Sequence, residues 1–151
     1  MALDVKIYSG VVQTWNVVHS TTHVTYTRIE FDGGKYIGEI RATEALSDIF
    51  ETALRRGEAL KLHVVMPLES GPATLIAFEQ PEGVMFATDV PPLPFLFQFA
   101  PRIALIIGIL LIPAFGIGIV VLGVWANMRR QVRPMVELRD YVRRLPRATL
   151  V

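Results

Sequence analysis

Between Arg102 and the pair Arg129–Arg130 the chain reads IALIIGILLIPAFGIGIVVLGVWA, residues 103–126, without a single charge. Few structures accept such a run. As one helix at about 1.5 Å per residue it would reach roughly 36 Å, enough to cross a hydrocarbon core about 30 Å thick. An uncharged stretch above about 18 residues reads as a transmembrane helix before it reads as a buried core helix. Trp125 at one end, and Phe95, Phe97 and Phe99 ahead of the other, have the amphipathic or aromatic character of interfacial anchors.

Charge distribution gives the segment a direction. Residues 1–100 carry seven Lys/Arg against twelve Asp/Glu, whereas residues 101–151 carry eight Arg against two acids. Only Arg102 precedes the apolar run closely, while seven arginines follow it. The excess of arginine predicts a cytoplasmic C-terminus, with residues 1–100 on the opposite, periplasmic side of a bacterial inner membrane. The alternative is a re-entrant hairpin bending between Pro113 and Gly118, which would leave both ends cytoplasmic. Its arms of about ten residues reach only about 15 Å each. The N-terminus MALDVKIYSG has neither a basic region nor an apolar region of the kind a cleavable signal needs.

If 103–126 is one helix, Ala104, Gly108, Gly116, Gly123 and Ala126 fall within about 120° of one another. Such a face admits close approach of a second helix, from a membrane protein partner or a second copy of the chain. Pro113 removes a backbone donor and predicts a kink.

Ahead of this segment the pattern is that of a small β-rich domain. Residues 4–20 (DVKIYSGVVQTWNVVHS) form a long strand with a bend expected at Gly10. Residues 23–31 (HVTYTRIEF) form a second, and Asp32-Gly33-Gly34 supplies a tight turn into a third, KYIGEIRA. In the following stretch Leu46, Ile49, Phe50, Ala53 and Leu54 recur at helical spacing. Thr43 is positioned to cap this helix and Gly57 to stop it. ALKLHVVM alternates as a half-buried strand, with His63 beside Lys61 on the solvent side; ATLIAF and VMFAT follow as a fifth and a sixth.

A bent first strand, and a helix between the third and fourth, resemble the OB-fold, a five-stranded Greek-key barrel. The resemblance rests on element order over residues 4–88. A split sheet with one packed helix, of α+β type, is the alternative. The expected organisation is a β-rich domain at 1–90, a Pro/Phe-rich stalk at 91–102, one transmembrane helix at 103–126 and a basic tail at 127–151. In the tail, Met135, Leu138, Val142 and Leu145 define a short amphipathic helix starting near Pro134. Arg129, Arg130, Arg133, Arg139, Arg143 and Arg144 around it suit an anionic lipid surface or a partner.

Chemistry is sparse. The absence of cysteine excludes disulfides, thiolate metal sites and cysteine nucleophiles. No nucleophile-elbow, zincin, P-loop or dinucleotide-binding spacing occurs in the β-domain, so no enzyme and no cofactor is expected. His19 and His23 flank a Ser-Thr-Thr loop, and a strand pairing with the first could bring His63 to them. The three are weak metal candidates, because no carboxylate stands near to orient the rings. Tyr26, Tyr36 and Arg28 lie where an OB barrel binds oligonucleotides, but the acidic balance of residues 1–100 opposes a phosphate backbone. The function these features favour is a non-enzymatic, single-pass docking protein whose β-domain engages a membrane complex. A small-ligand or metal sensor using His19 and His23, and a membrane immunity or stress protein, are the alternatives.

Overall fold

The long Val/Ile-rich strand expected at the N-terminus organises the rest of the structure, a computed structural model that describes residues 4–20, 23–67, 71–90, 102–107, 109 and 117–151. Strand β1 (Val5–His19) pairs with two different partners. Its first half, Val5–Val11, runs antiparallel to β5 (Ala59–Val65), and its second half, Val12–His19, antiparallel to β2 (Val24–Phe31). Gly10 sits at the change of partner with φ +152, and a Cβ there would lie 2.4 Å from Asp32 Oδ1. The bend requires glycine at this position.

Past the Asp32-Gly33-Gly34 turn, the expected third strand is divided into β3 (Tyr36–Ile37) and β4 (Ile40–Ala42), with Gly38 and Glu39 between them. Both pair with β2. β4 also runs parallel to β6 (Ala73–Glu79), and β6 runs antiparallel to β5. The pairings β1–β2–β4–β6–β5–β1 therefore close into a ring, and β7 (Met85–Ala87) extends it from β6.

Helix α1 (Glu44–Arg55) joins β4 to β5 and turns Leu46, Ser47, Phe50, Ala53 and Leu54 inward. Phe50 stands edge-on to Tyr26 and tilts against Phe78, centroids 5.3 Å away in each case. These rings, with Ile29, Ile40, Leu60, Leu62, Val64 and Leu75, form the core, and each is almost wholly buried. Thr43 occupies the N-cap position with an extended backbone, but its side chain makes no capping bond. At the other end Gly57, at φ 66, lets the chain turn back into β5.

The C-terminal third departs from expectation. Helix α2 (Ile117–Arg144) runs through the junction expected at 126/127 and through Pro134, so no separate amphipathic helix begins at that proline. Proline inside a helix forfeits one amide bond to the preceding turn, which here leaves the flanking helix to hold the segment. The chain then ends in β8 (Ala148–Leu150), parallel to β7 and part of the same sheet as β1. The amide of Val151 donates to Ala87 O, and that of Asp89 to Val151 O, each at 2.9 Å. Residues 141–151 accordingly belong to the compact unit formed by residues 1–89, and residues 90–140 form a second unit.

The last residues of the expected C-terminal tail therefore share a sheet with the expected N-terminal domain. Among the described residues no helix is long and apolar enough to cross a membrane. The span expected at 103–126 includes residues 108 and 110–116, Pro113 among them, and these lie outside the described residues, as does the stalk expected at 91–102 except for Arg102.

Candidate functional site

β1 and β5 determine where the histidines fall. His19 closes β1 opposite Val24, and the backbone of Ser20 donates to His23 O at 3.0 Å, so both rings stand near the β1–β2 connection. His63 is in register with Ile7, at the other end of β1. Ile7 and His19 are twelve residues apart, about 40 Å along an extended strand before its bend, so the three imidazoles do not converge. Among the described residues no group of three metal-ligating side chains stands together. His19 Nε2 instead approaches Glu51 Oε1 of α1, 3.9 Å away.

His63 also corrects the expectation of a solvent-facing ring. It points away from the ring interior, as its alternation with Leu62 and Val64 requires, yet it is only 4% exposed. Tyr141, near the end of α2, is the cause. Its hydroxyl lies 2.7 Å from His63 Nδ1, and the two rings tilt against each other at 6.0 Å. His63 Nε2 is buried and has no hydrogen-bond partner among the described residues. Burial, with the Lys61 ammonium nearby, holds this imidazole below its ordinary pKa, and Glu79 opposes the shift. Burial raises the Tyr141 hydroxyl. Beside them Lys61 Nζ and Glu79 Oε2 pair at 3.1 Å, across the β5–β6 ladder.

The outer surface of β1, β2 and β3 is open. Tyr36 is 67% exposed, and the Arg28 guanidinium lies over its ring, 5.3 Å from the centroid. Arg28 also pairs with Glu30, which accepts a hydrogen bond from Thr14 at 2.7 Å. These contacts hold the Glu30 carboxyl below its usual range, Thr14 contributing most. Tyr26 does not join this surface. It lies wholly in the core, its hydroxyl 2.6 Å from Ser47 Oγ, and burial drives its pKa well above the ordinary tyrosine value.

In the second unit many apolar side chains are turned outward, while Leu105, Val121, Leu122 and Trp125 are half-buried. Ile103, Ile106, Ile107, Ile109, Ile119, Val120 and Val124 are all exposed, Ile119 at 70% and Val120 at 68%. Of the small residues expected on one helix face, Gly108 and Gly116 lie outside the described residues; Ala104 falls in the first helical stretch and Gly123 and Ala126 in α2. The arginine series follows on α2. Arg129, Arg130, Arg133, Arg143 and Arg144 are exposed and Arg139 is half-buried. The Arg129 guanidinium lies 5.3 Å from the centre of the Trp125 ring, joining the last aromatic of the apolar run to the first of the cations that follow it.

Comparison with family models, curated proteins and solved structures found no match to this chain. The contact between His63 and Tyr141 had no signal in the sequence, since 78 residues separate the two.

Proposed function

We propose that this chain is a non-enzymatic docking protein held at a membrane by residues 102–126, with an OB-like barrel as its interaction module. The strand circuit, the parallel β4–β6 pair and the helix between β4 and β5 support the OB-like reading. The observation that carries the membrane reading is the run of exposed Ile and Val on both described stretches of an uncharged segment. Water-facing aliphatic side chains on this scale mark a lipid or protein contact.

The β7–β8 pairing favours a returning form of such attachment. The segment leaves the barrel unit after Asp89 and re-enters it at Tyr141, which supports an attachment that enters and leaves the bilayer on one face. A helical arm of about ten residues, such as 117–126, reaches about 15 Å, roughly one leaflet. Trp125 and the arginines after it then lie at the headgroup level, and the arginine excess favours the cytoplasmic face of a bacterial inner membrane. The open surface around Tyr36 and Arg28 is the docking face for a protein partner.

Flotation of the full chain with vesicles containing anionic lipid tests the attachment. The protein is expected to float and to resist an alkaline wash, and Ile119→Asp with Val120→Asp to remain at the bottom of the gradient. A wild-type chain that stays in the dense fraction overturns the reading. For the docking face, a stoichiometric partner isolated in mild detergent should be lost on Tyr36→Asp; retention of that partner contradicts the assignment.

A further inference from the structure

The C-terminal strand has a short hold on the barrel. β8 offers three residues to β7, supplemented by the amides of Asp89 and Val151. Arg147, in the turn before it, has φ 55, a left-handed conformation unusual for a side-chain-bearing residue. Such a short edge element is drawn from the low-stability end of a fold. What fastens it is the last part of α2, where Val142 is buried and Tyr141 bonds to His63.

We propose that His63 and Tyr141 form a proton-sensitive latch, which holds the C-terminal strand on the barrel while the imidazole is neutral and releases it when the imidazole is protonated. In a neutral ring one nitrogen donates and the other accepts, so Nδ1 and the Tyr141 hydroxyl satisfy each other in either tautomer. A protonated ring donates from both nitrogens. Nε2–H would then carry charge into a buried position with no acceptor among the described residues, a costly arrangement.

The surrounding groups sharpen the effect. Lys61, two residues away on β5, repels the imidazolium. Glu79 on β6 attracts it, but Glu79 is already engaged by Lys61. β1 presents Ile7 opposite His63, and β6 presents Ala77, neither of which titrates. From α2 the facing group is Tyr141.

The sign follows from linkage. With the latch open the imidazole meets water and takes up a proton near its ordinary value, about 6.5. With the latch closed it binds the proton less readily. The closed form is therefore fully favoured above about pH 6.5 and weakens as pH falls through that value, levelling off below the depressed pKa. Release frees the edge of β7 and unfastens the returning end of the 90–140 segment. None of this requires that segment to be in lipid.

Amide exchange on the full chain in mild detergent tests the latch. After correction for chemical exchange rates, Val151 and Asp89 are expected to lose protection between about pH 7.5 and about pH 5.5. One proton limits the slope to about tenfold per pH unit. Core amides of β2 and β5 should hold their protection. His63→Gln should abolish the slope, and His19→Asn should preserve it. Flat protection at Val151 and Asp89 in the wild type overturns the proposal, as does an undiminished slope in His63→Gln. Should His63→Gln fail to fold, imidazole titration of the wild type by NMR decides: His63 titrating while Val151 stays protected contradicts the latch, and titration coincident with loss of protection supports it.

Discussion

Substituting Gly10 by alanine probes the bend on which the closed strand circuit depends. Two costs are expected. The backbone there has φ +152, a region that glycine occupies and other residues enter at a cost of about 1–3 kcal/mol. The new Cβ would also stand 2.4 Å from Asp32 Oδ1 and 3.3 Å from Phe31 Cδ1. The carboxylate must move, and with it goes its hydrogen bond from the Val11 amide, 3.0 Å long. That bond borders solvent, so its loss is worth about 1 kcal/mol. Together the two give a destabilisation of about 2–4 kcal/mol, a large fraction of a small domain's stability. Urea unfolding followed by circular dichroism measures it, and the double variant Gly10→Ala/Asp32→Ala separates the terms. Removing the carboxylate relieves the collision, so the two substitutions should cost less together than their sum, by about 1 kcal/mol. A Gly10→Ala cost below about 0.5 kcal/mol, the usual surface range, or strict additivity in the cycle, would refute the reasoning.

Ser47→Ala leaves the Tyr26 hydroxyl buried without its partner and is expected to cost about 1–3 kcal/mol, read by the same unfolding measurement. Because burial raises the Tyr26 pKa in the folded state, the unfolded chain ionises first, and stability should fall as pH rises above about 10. Tyr26→Phe should flatten that alkaline decline, measured as the dependence of the urea midpoint on pH.

The strands and the helix were legible because local patterns agreed with their surroundings. β1 and β2 announced themselves by β-branched residues, α1 by the spacing of Leu46, Phe50 and Ala53, and the hairpin by Asp32-Gly33-Gly34. Where the sequence misled, a long-range contact intervened. His63 alternates as an outward residue and does point outward, but Tyr141 covers it, and periodicity carries no record of a lid supplied 78 residues later. β8 is three residues of ordinary composition after a run of arginines; it is a strand because β7 offers an unpaired edge. Counting charges likewise cannot reveal that the tail rejoins the first domain. Thr43 has a capping residue's identity and position, and its carbonyl accepts the first helical bond from the Ser47 amide at 2.9 Å, yet its side chain makes no capping bond.

The most direct test concerns the two ends of the apolar segment. The chain contains no cysteine, so single cysteines at Glu58, in the turn into β5, and at Thr149, on β8, report without background. Both are to be challenged in intact cells and in lysed cells with a membrane-impermeant maleimide. Equal behaviour at the two positions, protected in intact cells and labelled after lysis, is the predicted result. Labelling of one position and protection of the other in intact cells would contradict the shared sheet and the returning membrane segment together.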